Sequence, residues 1–319
     1  LNQDSLKTLL PRLTLNVTSG KENPVANYMA ALGYSFHELD LNLNTDPTIG
    51  VNGKAHIYTI NAGGILLDTV QAQIFQDSTG IKMNGKVRNN PKNKQFVFES
   101  RLNAYLHATG AGAELMYLDN KRRKGGDLGL RADLTDNGVK MVFSQTHPIL
   151  AYRTFDINED NYIFLGNDKR IEADISMKAD DGTSIKIFST PNAEALQDIS
   201  VNLNNVNLGE LTAVIPYAPH ITGLLQTDAH LIQTTENLSV VADTYVKDMA
   251  YEEAPVGDIG MGLVYLPNSD GTHFVDARVS HNNAEVMTLS GSYRDDDKDG
   301  IIEADLDLAD FPLSMANGF

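Results

Sequence analysis

Apolar and polar residues alternate along most of this chain. The run 96–108 shows it best. Phe96, Phe98, Leu102, Ala104, Leu106 and Ala108 fall on one side, and Glu99, Arg101, Asn103 and His107 on the other. Successive side chains of a strand point to opposite faces, so the run predicts a sheet with one dry and one wet face. The same period recurs at Leu39, Leu41 and Leu43, at Val70, Ala72 and Ile74, and at Leu128, Leu130, Ala132 and Leu134. It returns at Val139, Met141 and Phe143, at Ile171, Ala173, Ile175 and Met177, and at Ile185 and Ile187. Ile199, Val201 and Leu203 follow, and beyond Pro219 the pattern predicts strands over 225–231, 238–246, 259–265, 273–279, 285–291 and 302–308.

The connections are acidic and end in glycine: Asp77-Ser78-Thr79-Gly80, Asp136-Asn137-Gly138, Asp180-Asp181-Gly182, Ser269-Asp270-Gly271 and Lys298-Asp299-Gly300. Asp or Asn before Gly supplies the positive φ of tight hairpins. Their unequal spacing excludes a fixed-period repeat. Helices are predicted in three places. Ser5 to Leu10 makes a short one closed by Pro11, and Leu13, Leu15 and Val17 alternate as a strand behind it. Asn23-Pro24 reads as an N-cap and first-turn proline ahead of Val25, Tyr28, Met29 and Leu32, with Gly33 as the stop. Leu208, Leu211 and Ile215 are spaced as a third, ended by Pro216. The expected fold is mainly β, a long antiparallel meander with a few short helices. The break at 191–198 divides it into segments 1–192 and 193–319.

Composition narrows the function more than it names one. The 319 residues suffice for two ordinary domains or one large β body, so size is no obstacle to a sizeable core. A net charge of −17 and a pI of about 4.7 argue against nucleic acid, which needs a concentrated basic face. The one basic run, Lys121-Arg122-Arg123-Lys124, reads as a solvated loop tip or as a contact for anionic headgroups. There is no cysteine, which removes disulfides, thiolate catalysis and Cys-based zinc sites, and no tryptophan, which weakens a sugar-stacking reading. No membrane-spanning apolar stretch or signal peptide is visible. A start at Leu1 and a stop just past an apolar run suggest a piece of something longer.

Reactive motifs are few. The eight histidines are dispersed, with no HxH or HExxH pattern, and there is no GxSxG elbow or Walker loop. Gly257, Gly260 and Gly262, and Gly110 with Gly112, do not fit a dinucleotide fingerprint and read as bulges or close packing. Asp295, Asp297 and Asp299 with Gly300 match the first half of a calcium loop, but Leu306 stands where a bidentate Glu belongs, so a plain solvated turn and a weak calcium site both remain. Asp156, Asn158 and Asp160 repeat that spacing without the glycine. Among 42 acidic residues no pair stands out for glycosidase chemistry. No catalytic residue and no cofactor is expected. The aliphatic face is then either an ordinary core or an open surface on which acyl chains can lie, at about 0.8 kcal/mol per buried methylene.

Several phrases carry a resemblance. Asp310-Phe311-Pro312-Leu313 with Ala316-Asn317 follows Ala304-Asp305-Leu306-Asp307-Leu308; upstream stand Leu208-Gly209-Glu210-Leu211, Ile215-Pro216 and His220-Ile221-Thr222-Gly223-Leu224-Leu225. Tyr152-Arg153-Thr154-Phe155 leads to Asp160-Asn161-Tyr162-Ile163. The chain resembles the TamB/AsmA-like family of translocation and assembly module proteins, Bacteroidetes type. These are phrases of turns and helix starts, not of a reaction. The resemblance implies an elongated β-taco groove with an apolar interior, in the periplasm, on a parent protein anchored in the inner membrane. It implies phospholipid transport between the membranes, outer-membrane protein assembly with a BamA-like barrel, or both. The anchor and the far C-terminal domain of the family are not in this sequence, which would make it an interior segment.

Alternation and resemblance together mark Leu102, Ala104, Leu106, Leu128, Leu130, Ile175, Met177, Ile185 and Ile187 as groove-lining candidates. Phospholipid acyl chains are the expected partner. A protein-binding β scaffold that recruits an outer-membrane barrel through a sheet edge, and a secreted carbohydrate-binding β-protein, are the alternatives.

Overall fold

A computed structural model describes residues 7–268, 270–294 and 301–309. The chain is mainly β, with antiparallel pairing throughout and no closed barrel. It packs as two units: Leu1–Asp136 with Met141–Arg153, and Asn137–Lys140 with Thr154–Phe319. The segment 191–198, where the sequence suggested a boundary, lies inside the second unit. It is the connection of a hairpin, closed by the Thr190 amide donating to the Asp198 carbonyl at 2.9 Å.

The first unit opens with β1 (Leu13–Gly20) and α1 (Pro24–Ala31). Asn23 caps α1 as its sequence implies: Oδ1 accepts from the amides of Val25 at 2.9 Å and Ala26 at 3.0 Å, and Pro24 fills the first helical position, where no amide is needed. The short β2 (Tyr34–Ser35) pairs with the end of β4. Then come β3 (Glu38–Asp46), β4 (Gly50–Ala62), β5 (Ile65–Gln76), β6 (Ile81–Arg88), β7 (Glu99–His107), β8 (Gly110–Leu118) and β9 (Lys124–Thr135). β1 pairs with β3, and from β3 to β9 each strand pairs with the next. β10 (Gly138–Phe143) follows, and β11 (Ile149–Leu150) pairs back on β9.

In the second unit β13 (Asp156–Ile157) and β14 (Tyr162–Gly166), preceded by β12 (Arg153–Thr154), both pair with β15 (Ile171–Lys178). β16 (Ser184–Ser189) and β17 (Gln197–Asn207) extend the ladder, and α2 (Leu208–Ala213) interrupts it, capped by Asn207 through the Glu210 amide at 3.2 Å. β18 (Ile221–Gln233), β19 (Leu238–Tyr251), β20 (Ala254–Pro267), β21 (Thr272–His281), β22 (Ala284–Arg294) and β23 (Ile301–Leu308) complete a meander in which sequence neighbours pair.

Three sequence expectations need adjustment. The strand in 96–108 begins at Glu99, so Phe96 and Phe98 precede it; Phe98 is buried and stacks on Tyr117 with ring centroids 6.0 Å apart. The third helix stops at Ala213, short of Ile215. Of the first expected helix, residues 5 and 6 lie outside the described residues; Lys7 and Thr8, which are described, are helical.

Candidate functional site

Directly paired residues of an antiparallel sheet share a face, so the register turns alternation along each strand into rows across strands. In the first unit one row runs Val17, Leu41, Ala55, Ala72, Gly85, Leu102, Leu115, Leu128. The next runs Leu15, Leu43, Gly53, Ile74, Met83, Ala104, Ala113, Leu130. Each crosses eight strands without a polar side chain. Leu106 continues the face between Ile81 and Ala111. The opposite face is polar: Asn16, Asn42, Lys54, Gln73, Asn84, Asn103 and Glu114 form one of its rows.

The second unit repeats the arrangement. Ile175, Ile187, Val201, Ala229, Ala242, Leu263, Ala277, Leu289 and Leu306 make one apolar row over nine strands. Met177, Ile185 and Leu203 begin a second, which passes Thr227 and Thr244 before Met261, Val279, Met287 and Leu308.

The nine candidate residues therefore gather into two sets. Leu102, Ala104, Leu106, Leu128 and Leu130 share the apolar face of the first unit; Ile175, Met177, Ile185 and Ile187 share that of the second. Their surroundings differ. Leu130 is 42% exposed, its row-mate Met83 38%, and Leu115 of the neighbouring row 47%. Leu102, Ala104, Leu106, Leu128, Ile185 and Ile187 are half-buried. Ile175 and Met177 are buried, along with Ala173, Ala179 and Phe155. For these two the structure corrects the expectation of an open lining: here the dry face is core.

No family model, curated protein or solved structure matches the chain. The site therefore has to be read from its own geometry.

That geometry is a strip of aliphatic surface with little chemistry on it. Small residues are grouped, Ala55, Ala72 and Gly85 in one row and Ala104 and Ala113 in the other, with Leu or Met on either side, so the rows are shallow in places and raised in others. Gly53 is the tightest point: a Cβ there would meet Leu43 Cδ1 at 3.0 Å and Ile74 Cγ2 at 3.3 Å. At Gly85 the nearest atom would be Leu102 Cβ at 3.6 Å, ordinary contact. Gly112 and Gly257, read from sequence as close packing or bulges, fit that reading. The Tyr105 ring occupies the space of a Gly112 side chain, and Gly257 has φ +97 beside register shifts between β19 and β20.

Asp295, Asp297 and Asp299 lie outside the described residues. Asn158, the middle of the weaker match, has its amide engaged: Oδ1 accepts from the Ser176 amide at 2.8 Å and Nδ2 donates to the Asp174 carbonyl at 3.3 Å. The basic run starts in the turn between β8 and β9, where Asp119 Oδ1 accepts from the amides of Lys121 and Arg123, both at 2.8 Å, and Arg122 takes φ +65.

Sequence reasoning missed Glu99. It lies on the polar face yet is only 4% exposed, because four cations converge on it. Arg101 holds Oε1; Arg122 Nη1 donates to Oε2 at 3.0 Å, and Lys86 and Arg88 stand 3.8 Å from the same oxygen. Burial pushes the Glu99 carboxyl up, but hydrogen bonds from Arg101 and Arg122 and the charge of Lys86 outweigh it and hold it below the ordinary range. A signal existed. Lys86 and Arg101 are direct cross-strand partners, a like-charge pair that needs a carboxylate beside it.

Proposed function

We propose that this chain is a non-enzymatic, lipid-handling β segment whose apolar rows accept phospholipid acyl chains. One observation carries the reading: aliphatic rows run unbroken across eight strands and keep Met83, Leu115 and Leu130 open to solvent instead of closing over them. Exposed apolar surface this continuous is costly unless something occupies it, and acyl chains match its chemistry at about 0.8 kcal/mol per buried methylene. A groove of this kind, on the periplasmic part of a TamB/AsmA-like envelope protein, is the setting in which such a surface would serve transport between inner and outer membranes.

The test is photo-crosslinking in bacterial cells. Crosslinkers at Met83, Leu115, Leu130 and Leu263 should capture phospholipid, while crosslinkers at Asn103 and Glu114 on the opposite face should not. Equal capture from both faces, or none from either, ends the proposal. Native mass spectrometry of the purified chain should show co-purifying lipid.

A second reading rests on β23. Among the described residues it pairs only with β22, and it exposes Ile301, Ile302, Leu306 and Leu308. Such an edge can add a strand from a protein partner, an outer-membrane barrel included. Strand addition would be seen as partner-dependent protection of the 301–308 amides from hydrogen exchange.

A further inference from the structure

The polar face of the first unit holds a recess of about 330 Å³ that the acyl-chain reading does not use. Two of its rows bound it, Lys54, Gln73 and Asn84 on one side and His56, Gln71 and Lys86 on the other. The floor is the backbone of Ala55, Ala72 and Gly85, whose β-carbon positions belong to the opposite, apolar face. Ile57, Val70, Ile74 and Met83, the apolar neighbours of that floor, do not line it, which puts the opening on the polar side.

The composition of the lining is unusual for this chain. With 42 acidic residues in the sequence, none lines the recess, and Asp40, the cross-strand partner of His56, stays outside it. Lys54 and Lys86 stand at opposite corners, two strands and two residues apart, about 12 Å between α-carbons by strand spacing and rise. Between them lie the side-chain amides of Gln71, Gln73 and Asn84, each able to donate and to accept. Gln71 Nε2 rests 3.1 Å from His56 Nε2. Lys86 also belongs to the group around Glu99, where Lys86, Arg88, Arg101 and Arg122 face a single carboxylate. That leaves a surplus of positive charge beside the recess that no neighbouring acid within the group neutralises.

We propose that this recess binds a phosphate ester carrying hydroxyl groups. Lys54 and Lys86 neutralise the phosphate, and the three amides read the hydroxyls. The same chemistry occurs on a phosphoglycerol lipid headgroup and on a soluble polyol phosphate. Because the recess opens on the face opposite the apolar rows, its fate is separate from that of the acyl-chain surface.

The 319-residue chain would be titrated with sn-glycerol 3-phosphate and, in a second arm, with vesicles of phosphatidylcholine with and without phosphatidylglycerol. Saturable amide shifts at residues 54, 71, 84 and 86 are expected, at least ten-fold weaker in affinity in Lys54→Ala/Lys86→Ala and unchanged in the loop control Lys92→Ala/Lys94→Ala. Vesicle binding that requires phosphatidylglycerol, is lost in the double variant and is competed by glycerol phosphate identifies a headgroup; response to the soluble ester alone identifies the free metabolite class. Shifts spread evenly over all lysines, equal weakening in both double variants, or no response in either arm overturns the proposal. Circular dichroism of both variants should match the parent, since Lys54, Lys92 and Lys94 are exposed and the half-buried Lys86 leaves Glu99 with Arg88, Arg101 and Arg122.

Discussion

Ile175 and Leu306 stand in the same cross-strand row of the second unit, eight strands apart, yet Ile175 is 4% exposed and Leu306 56%. Both are aliphatic, both alternate with polar neighbours, and both lie on the dry face. Period two specifies which face a residue joins; it does not specify what covers that face. At β15 the face is core, at β21 and β22 it is half-buried, and at β20 and β23 it is exposed. A single row thus changes from structural to available along its length.

The sharpest way to break that comparison is charge. Ile175→Asp buries an unpaired carboxylate and should cost about 4 kcal/mol or more in urea unfolding, while Leu306→Asp should stay within about 1 kcal/mol. Equal costs would mean that the two ends of the row are covered alike. Next in size is the tight point of the first unit. Gly53→Val forces Leu43 and Ile74 aside and should destabilise by about 1–3 kcal/mol, whereas Gly85→Val finds room beside Leu102 and should leave stability nearly unchanged. If the rows carry acyl chains, Gly85→Val should still reduce lipid capture at Leu115, a loss without unfolding.

Glu99→Gln comes third, at about 1–2 kcal/mol, because its cations are half exposed and water replaces part of what they lose. It has a pH signature. The folded pKa of Glu99 is lowered, so its contribution is complete above the ordinary carboxylate pKa and is lost as pH falls through the lowered one. The parent should lose more stability than the variant across that acid range, and the two curves should approach each other at its lower end. Smallest of all, Leu115→Ala and Leu263→Ala should each change stability by less than about 1 kcal/mol, as expected of side chains already facing water.

Much of this architecture was legible in the sequence. Leu39 to Leu43, Val70 to Ile74, Leu128 to Leu134 and Ile171 to Met177 all lie in strands, because their period of two is unbroken. Asn23-Pro24 announced α1 through capping chemistry that needs no tertiary partner. β4, β6 and β8 were harder to see. Gly53 and Gly85 dilute the apolar side of β4 and β6, and Ala111 and Ala113 that of β8, so the alternation weakens where small residues pack. Glu99 was placed on the right face and given the wrong environment. Its burial depends on Lys86 and Arg88 from β6 and Arg122 from the β8–β9 turn, a meeting that only the register creates. The recess around Lys54 and Lys86 was invisible for the same reason: its six polar side chains come from three strands.

The pairing of each strand with its sequence neighbour has a further consequence. From β3 to β9 and again from β15 to β23, every hairpin hands the ladder to the next with its faces in phase. Two strands removed or inserted together return the chain to the same edge, running in the same direction, with dry side still dry. Length is then a heritable dimension that evolution can change in hairpin-sized steps without redesigning a core, much as a track is extended by adding sections.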